Sequence, residues 1–273
     1  MSGRLSDRYR TAFVTGAASG LGRAFVAMLL AEGVRVWGTS RDPARIAPAA
    51  ALVPVALDLA DPAGAEAALG RAAEQAGGGF DLVINNAGAG VFGEFGAVEF
   101  STWAGQWEAM LTGTFRLTHA AWRQLQARRG GCLVNVSSLA AEFPLPFMAG
   151  YNVAKAGLSA LSESLIFESR NSAVTVIDFR PGDYRTDFNR NMQTLSPAFG
   201  SRPAAVWRRL EANLAAAPPP AAAAADLRRA LARGRSGIVR SGSFFQARLG
   251  PLAARLLPAA VLRAVLARYF GGR

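Results

Sequence analysis

The 273-residue chain has one lysine, one cysteine and one histidine. A single cysteine, Cys132, excludes an intrachain disulfide framework and suits a reducing compartment, so a cytoplasmic protein is expected. One histidine, His119, beside one thiol gives no zinc cluster of ordinary ligands. The first ten residues are polar with three arginines, and the apolar run after them is too short for a secretory leader. Long apolar runs are missing as well. The greasiest stretch, 249–270, is interrupted by Pro251, Arg255, Pro258, Arg263 and Arg268, which argues against a spanning helix. Acidic side chains are scarce in the last quarter: residues 201–273 hold two against thirteen basic ones, whereas 1–200 holds seventeen of each. The net charge of +11 therefore sits in one region, either a solvated basic face or a surface for anionic lipid, an acidic carrier protein or nucleic acid. The arginines carry no recognition motif and no interleaved stacking series, so nucleic acid is not the expected partner.

With 51% hydrophobic and 18% charged residues, the chain reads as globular, a single α/β domain over 1–273 with 201–273 as a basic C-terminal extension. Short β-branched or apolar runs at 11–15, 34–38, 52–57, 80–84, 132–136 and 173–179, with a possible last one at 237–240, alternate with alanine-rich stretches. The long helices are expected at 21–32, 62–76, 102–128 and 150–170. This alternation is the pattern of βα units around a parallel sheet. Pro218-Pro219-Pro220 followed by five alanines reads as a surface connection entering a helix.

The first strand ends in Thr15-Gly16-Ala17-Ala18-Ser19-Gly20-Leu21-Gly22, and an apolar helix starts at once. Glycines at a strand-to-helix turn let backbone amides approach a pyrophosphate, which then meets the positive end of the helix dipole. By itself such a loop is also a plain tight turn; its place after the first strand of a βαβ series points to nucleotide binding. The second strand runs into Ser40 and Arg41, a hydroxyl and a guanidinium where an acidic residue would grip a ribose 2′-hydroxyl. NADP(H) is therefore expected over NAD(H), with the adjacent Asp42 turning either inward or onto Arg45.

Twenty-nine of the thirty basic residues are arginine, and the one lysine, Lys155, follows Tyr151 by four positions. On a helix the two share a face. An adjacent ammonium favours phenolate, and a phenol can exchange a proton with a carbonyl or alcohol oxygen while hydride moves at carbon. Thirteen residues upstream of Tyr151, Ser138 ends a β-rich run and can hold the same oxygen.

In combination these pieces resemble the short-chain dehydrogenase/reductase family over about residues 10 to 190. The similarity implies a Rossmann-type, doubly wound, three-layer fold with a seven-stranded sheet, and assembly as a homodimer or homotetramer. It implies that Thr15, Gly16, Ala18, Ser19, Gly20, Leu21 and Gly22 form the phosphate loop, and that Asp58 and Leu59 lie beside the adenine. It places Asn85, Asn86, Ala87 and Gly88 along the cofactor, and Pro181, Gly182, Tyr184 and Thr186 near the nicotinamide. Tyr151 becomes the general acid/base. Lys155 lowers its pKa and binds the ribose, and Ser138 orients the substrate oxygen.

One position departs from that pattern. Met110, seven residues after Trp103, stands where the family commonly has an asparagine that holds a water linking the lysine to solvent. A thioether is a weak acceptor and no donor. Either Met110 simply packs, or proton delivery is slowed and the chemistry is one that does not need it.

Phe92, Phe95, Phe143, Leu145, Phe147, Met148, Phe188, Met192 and Leu195 are expected over the nicotinamide and suggest a bulky hydrophobic carbonyl or alcohol. Arg185 and Arg190 are candidate anchors for an acidic group. The stretch 244–270, apolar clusters punctuated by arginine, is weakly similar to the C-terminal extensions of retinol- and steroid-active members. It can lie on a membrane, cap the pocket or form a subunit contact. Two readings compete with the NADP(H)-dependent oxidoreductase: non-redox or internal redox chemistry such as dehydration or epimerisation, and a non-catalytic nucleotide-binding protein.

Overall fold

The computed structural model describes residues 3–190, 192–194 and 200–270, apart from the side chains of Arg255 and Ala259. In chain order the strands are β1 (Thr11–Val14), β2 (Arg35–Ser40), β3 (Leu52–Ala56), β4 (Leu82–Asn85), β5 (Val91–Phe92), β6 (Gly131–Val136), β7 (Val174–Pro181), β8 (Gln193–Thr194) and β9 (Gly237–Ser241). Seven of them form one sheet in the order β3-β2-β1-β4-β6-β7-β9, and every pairing in it is parallel. The suggested last strand is thus real and forms an edge. The two-residue strands β5 and β8, absent from the sequence reading, pair with each other outside this sheet.

The helices are α1 (Gly20–Ala31), α2 (Pro62–Gln75), α3 (Phe100–Trp107), α4 (Thr114–Ala127), α5 (Ala149–Glu168), α6 (Ser201–Ala216), α7 (Pro220–Arg233), α8 (Gly250–Leu256) and α9 (Ala259–Tyr269). The helix expected over 102–128 is interrupted: residues Glu108–Gly113 form a π-helical turn between α3 and α4. Met110 lies in that turn, and such turns gather at functional sites. Pro220 begins α7, where a missing N–H costs nothing.

Parallel strands covered on both faces read as continuous apolar runs, and β4 and β7 are buried along their whole length. On one face Phe25, Val26 and Leu29 of α1 and Leu227 and Leu231 of α7 pack on Val14, Val36, Ile84 and Val134. On the other, Leu69 of α2, Leu117 and Leu125 of α4 and Leu165 of α5 pack on Phe13, Val83, Leu133 and Val176. The result is the three-layer, doubly wound arrangement that the sequence implied. Strand order reverses between β1 and β4, which opens a crevice at their carboxyl ends, the usual ligand site of such sheets. The lone thiol of Cys132 is fully buried, and that burial pushes its pKa up to about 12, so it is inert.

Candidate active site

At the crevice, Gly16 and Gly20 have φ of +70° and +52°, and both line the cavity. At Gly22 a Cβ would stand 2.1 Å from the Gly16 carbonyl oxygen, so only glycine lets α1 meet the turn. Ser19 is the N-cap of α1, yet its side chain makes no capping bond. The first-turn amides are therefore left to a ligand, and the helix dipole favours an anionic one.

The crevice is a cavity of about 700 Å³. From the expected set, Gly16, Ala18, Ser19, Gly20, Leu21, Ser40, Arg41, Asp58, Leu59, Asn86, Ala87, Gly88, Ser138, Tyr151, Lys155, Pro181, Gly182, Tyr184 and Thr186 all line it. Thr15, Gly22 and Asn85 do not. Thr15 is buried and its hydroxyl accepts from the Asn86 and Ala87 amides at 2.8 and 2.9 Å, while Asn86 Nδ2 donates to its carbonyl. It therefore clasps the segment after β4 to the glycine turn. Asn85 Nδ2 points into the interior, donating to Thr118 Oγ1 and Asn135 Oδ1 at 2.9 Å, and Asn135 continues to Ser162.

At the end of β2, Arg45 joins Arg41 in the cavity wall. Asp42 lies in the same wall. Its carboxylate caps the short turn Pro43–Arg45 by accepting from the Ala44 amide at 3.1 Å.

At the other end, Ser138 Oγ accepts from the Ala140 amide at 3.0 Å and lies beside the Tyr151 phenol, with which it shares a hydrogen bond. Lys155 Nζ donates to the Val136 carbonyl at 2.7 Å and sits 5.8 Å from the centre of the Tyr151 ring. Burial lowers the pKa of Lys155 to about 8 against the opposing pull of Asp178. Burial raises the pKa of Tyr151, Ser138 opposes this by its hydrogen bond, and the charge of Asp183 adds to the rise.

Met110 is in the site, buried and in the cavity wall. A Cβ on Gly88 would lie 3.4 Å from Met110 Cε and 3.6 Å from Lys155 Nζ, so the thioether's methyl occupies the room beside the ammonium.

Behind this wall runs an ionic cluster that the sequence did not announce. Asp178, wholly buried, accepts from Ser137, from Ser159 Oγ at 2.8 Å and from Arg180 Nε at 2.7 Å. Arg180 also pairs with Glu142 at 2.6 Å and Glu163 at 2.7 Å, and Arg240 of β9 reaches Glu142 at 2.8 Å. The cluster ties β7 and β9 to α5 directly behind Ser138 and Lys155.

The expected apolar wall is only partly there. Phe188 lines the cavity and meets the Tyr151 ring edge-on, 5.6 Å between centroids. Phe92, Leu145, Phe147, Met148 and Met192 form the cluster beneath, joined by Val206 and Leu210 of α6 and by Leu266, Tyr269 and Phe270 from the tail. Phe143 turns to the tail, lying near Gly250. Phe95 is 66% exposed and stacks on Trp103 instead, and Leu195 lies outside the described residues. Arg185 and Arg190 are both exposed and outside the cavity lining, and Arg190 pairs with Asp187. Asp183 and Leu214 line the cavity and were not foreseen. Asp183 directly follows the Pro181-Gly182 pair and was legible; Leu214 comes from α6, which no local motif links to the site.

A family model described as short chain dehydrogenase matches residues 10–195. The chain belongs to the short-chain dehydrogenase family. An uncharacterized oxidoreductase of Schizosaccharomyces pombe is 30% identical over 210 residues, covering 75% of this chain and 71% of that one. A short-chain dehydrogenase from Streptomyces avermitilis superposes with a TM-score of 0.80 at 26% identity, covering 97% of both chains. One from Burkholderia cenocepacia in complex with NADP gives 0.68 at 27% identity over 91% of this chain and 97% of that one. The Burkholderia cenocepacia protein holds its NADP in a fold of this family.

Proposed function

We propose that this short-chain dehydrogenase is an NADP(H)-dependent oxidoreductase acting on a hydrophobic carbonyl/alcohol pair. The observation that carries the reading is a single cavity in which the glycine turn and uncapped α1 lead directly to Ser138, Tyr151 and Lys155. NADP(H) over NAD(H) is favoured by Arg41 and Arg45 beside Ser40, with the Asp42 carboxylate in the same wall engaged by the Ala44 amide. A guanidinium pair attracts a 2′-phosphate and offers no acceptor to a 2′-hydroxyl.

The bound nicotinamide supplies or accepts hydride at the substrate carbon. Tyr151, protonated at neutral pH because burial raises its pKa, gives its proton to the carbonyl oxygen in reduction and takes it back in oxidation. Ser138 holds the same oxygen and stabilises the charge that develops on it. Lys155 exchanges its Val136 contact for the ribose hydroxyls and keeps a positive charge below pH about 8. Phe188 and Leu214 exclude water from the reacting carbon.

Residues 201–273 act as the cap on this pocket, since Phe270, Leu266 and Tyr269 pack beside Met148 and Phe92. The outer side of the same region exposes Phe244, Phe245, Leu252, Leu256 and Val265 among arginines, which suits peripheral contact with an anionic membrane from the cytoplasm. Among the described residues no helix is long and apolar enough to cross one. Exposed Phe115 on α4 and Val153 and Phe167 on α5 supply an apolar face for a homodimer or homotetramer.

The test is consumption of NADPH and of NADH with a panel of aldehydes and ketones of increasing apolar bulk. Turnover that prefers NADPH and bulky ketones is expected. Product without net nicotinamide oxidation would instead support dehydration or epimerisation, the reading that Met110 beside Lys155 favours.

A further inference from the structure

Asp183 and Asp187 both line the cavity, but Asp187 pairs with Arg190, whereas Asp183 has no task in the oxidoreductase chemistry. It lines the same space as Tyr151, Phe188 and Leu214. Its side chain is fixed from the C-terminal region: Gln246 Nε2 donates to Oδ2 at 2.6 Å, and Gln246 Oε1 accepts from the Asp183 amide at 3.2 Å. Gly182 is what allows this, because a Cβ there would lie 2.7 Å from Gln246 Oε1. Among the described residues Asp183 Oδ1 has no hydrogen-bond partner, and no basic side chain pairs with the carboxylate, in a chain with thirty of them.

A partly buried carboxylate held in one rotamer by a neutral amide is under-compensated. A wholly apolar substrate would displace water from Oδ1 and leave it worse off. A substrate ammonium would satisfy it by a charge-assisted hydrogen bond. We propose that Asp183 is a substrate-binding residue that selects carbonyl and alcohol substrates carrying an ammonium group near the reacting carbon, with an apolar chain against Phe188 and Leu214. The proposal rests on the oxidoreductase reading and adds to it the substrate's polar group.

The same contact acts on the acid/base. The groups that face the Tyr151 phenol are Ser138 from the turn after β6, Lys155 from α5 and Asp183 from the end of β7; the field of Asp183 also reaches the Tyr269 phenol on α9. The Asp183 charge disfavours phenolate at Tyr151. An ammonium seated on Asp183 cancels that field, so a substrate of this class eases its own deprotonation.

The experiment uses three alcohols of equal chain length on the full chain with NADP+: a 2-aminoalkan-3-ol, the matching 2,3-diol and the plain alkan-3-ol. In each the carbinol carbon gives a hydride to NADP+ and the hydroxyl gives its proton to Tyr151, leaving the ketone and NADPH. Wild type should prefer the amine in kcat/KM. In Asp183→Asn, which still accepts from Gln246, the amine-to-alkanol ratio should fall by about thirtyfold or more, the usual loss when one member of a buried charge pair is removed. The pH at which alkanol oxidation rises should also move down in D183N, a shift that a merely structural role does not produce. Equal rates for amine and diol in wild type, or a ratio unchanged in D183N, would overturn the proposal while leaving the oxidoreductase reading intact. If none of the three alcohols turns over, the oxidoreductase reading has failed instead. Calorimetric titration of the aminoalkanol onto both proteins still decides Asp183: tighter binding to wild type supports it, and equal binding sinks it. NADPH binding and thermal unfolding of D183N confirm that the variant is folded.

Discussion

Replacing Arg180 with methionine removes the cation from the centre of the cluster behind the site. Arg180 is 5% exposed and touches three carboxylates, but they will not suffer equally. Glu163 is 58% exposed and returns to water, a loss of about 0–1 kcal/mol. Glu142 keeps Arg240 at 2.8 Å. Asp178, with no exposure at all, keeps Ser137, Ser159 and the longer-range charge of Lys155 but loses its ion-pair partner, which costs about 3–5 kcal/mol. Asp178 therefore decides the outcome. Against a total stability of about 5–15 kcal/mol this is a large fraction. With a urea slope of roughly 3 kcal/mol per M, the unfolding midpoint should drop by about 1–1.7 M. Equilibrium unfolding followed by far-UV circular dichroism measures it. The double variant D178N/R180M removes the stranded charge and offers the two serine hydroxyls one acceptor and one donor, either of which a hydroxyl can match, so it should be more stable than R180M alone. A midpoint loss equivalent to less than about 1 kcal/mol in R180M, or no recovery in the double variant, would refute this account.

Substituting Arg41 and Arg45 together with alanine should raise KM for NADPH by about tenfold or more and leave that for NADH nearly unchanged; equal effects on both would remove the NADP(H) assignment. Lys155 has a folded pKa near 8, below its unfolded value of about 10.4, so the unfolded chain binds more protons between those limits. Its contribution to stability consequently rises with pH across that window, while NADPH affinity should fall as the ammonium is lost above about 8. Lys155→Arg keeps its charge and should lack that alkaline loss, although its planar fork should bind the ribose less well; the same alkaline limb in both proteins would dissociate it from Lys155. Met110→Asn places a donor and acceptor beside Lys155 and should raise kcat by about tenfold, part of the 10²–10⁴ that positioned proton transfer supplies; an unchanged rate and pH profile would reduce Met110 to packing. Flotation with anionic vesicles should retain the wild-type chain and release Leu252→Glu/Leu256→Glu, both positions being exposed on α8, whereas identical behaviour would remove the membrane contact.

The sheet was legible because each strand is a short apolar run whose neighbours are helices of opposite periodicity, and the boundaries fell within a few residues. The glycine turn and the Ser138, Tyr151, Lys155 set were legible because their spacing is local. What escaped depends on contacts between distant segments. Val91 and Phe92 pair with Gln193 and Thr194 across a hundred residues, and no pattern in either dipeptide marks a strand. The π-helical turn at Glu108–Gly113 changes the hydrogen-bond register without changing the helical composition around it. Asp42 was ambiguous in sequence because a carboxylate can turn inward or pair with Arg45; it lines the cavity and takes the Ala44 amide, a bond that no local pattern announced. Asp178 and Arg180 carry no local motif, and their pairing with Glu142, Glu163 and Arg240 depends on segments far apart in the chain.

The Gln246 clasp on Asp183 separates two kinds of heritable change in this protein. Among the described residues no hydrogen bond or ion pair joins Gly16 to Gly22, Arg41 or Arg45 to the segment after β9, whose polar contacts go to Asp183, Arg209 and Asn213. Exchanging that segment among relatives would rewrite what the pocket admits while the nucleotide half stays as it is. A chimera carrying a relative's residues from 242 onward is thus a direct route to new substrate preference, provided the donor brings a side chain that fits against a glycine at 182.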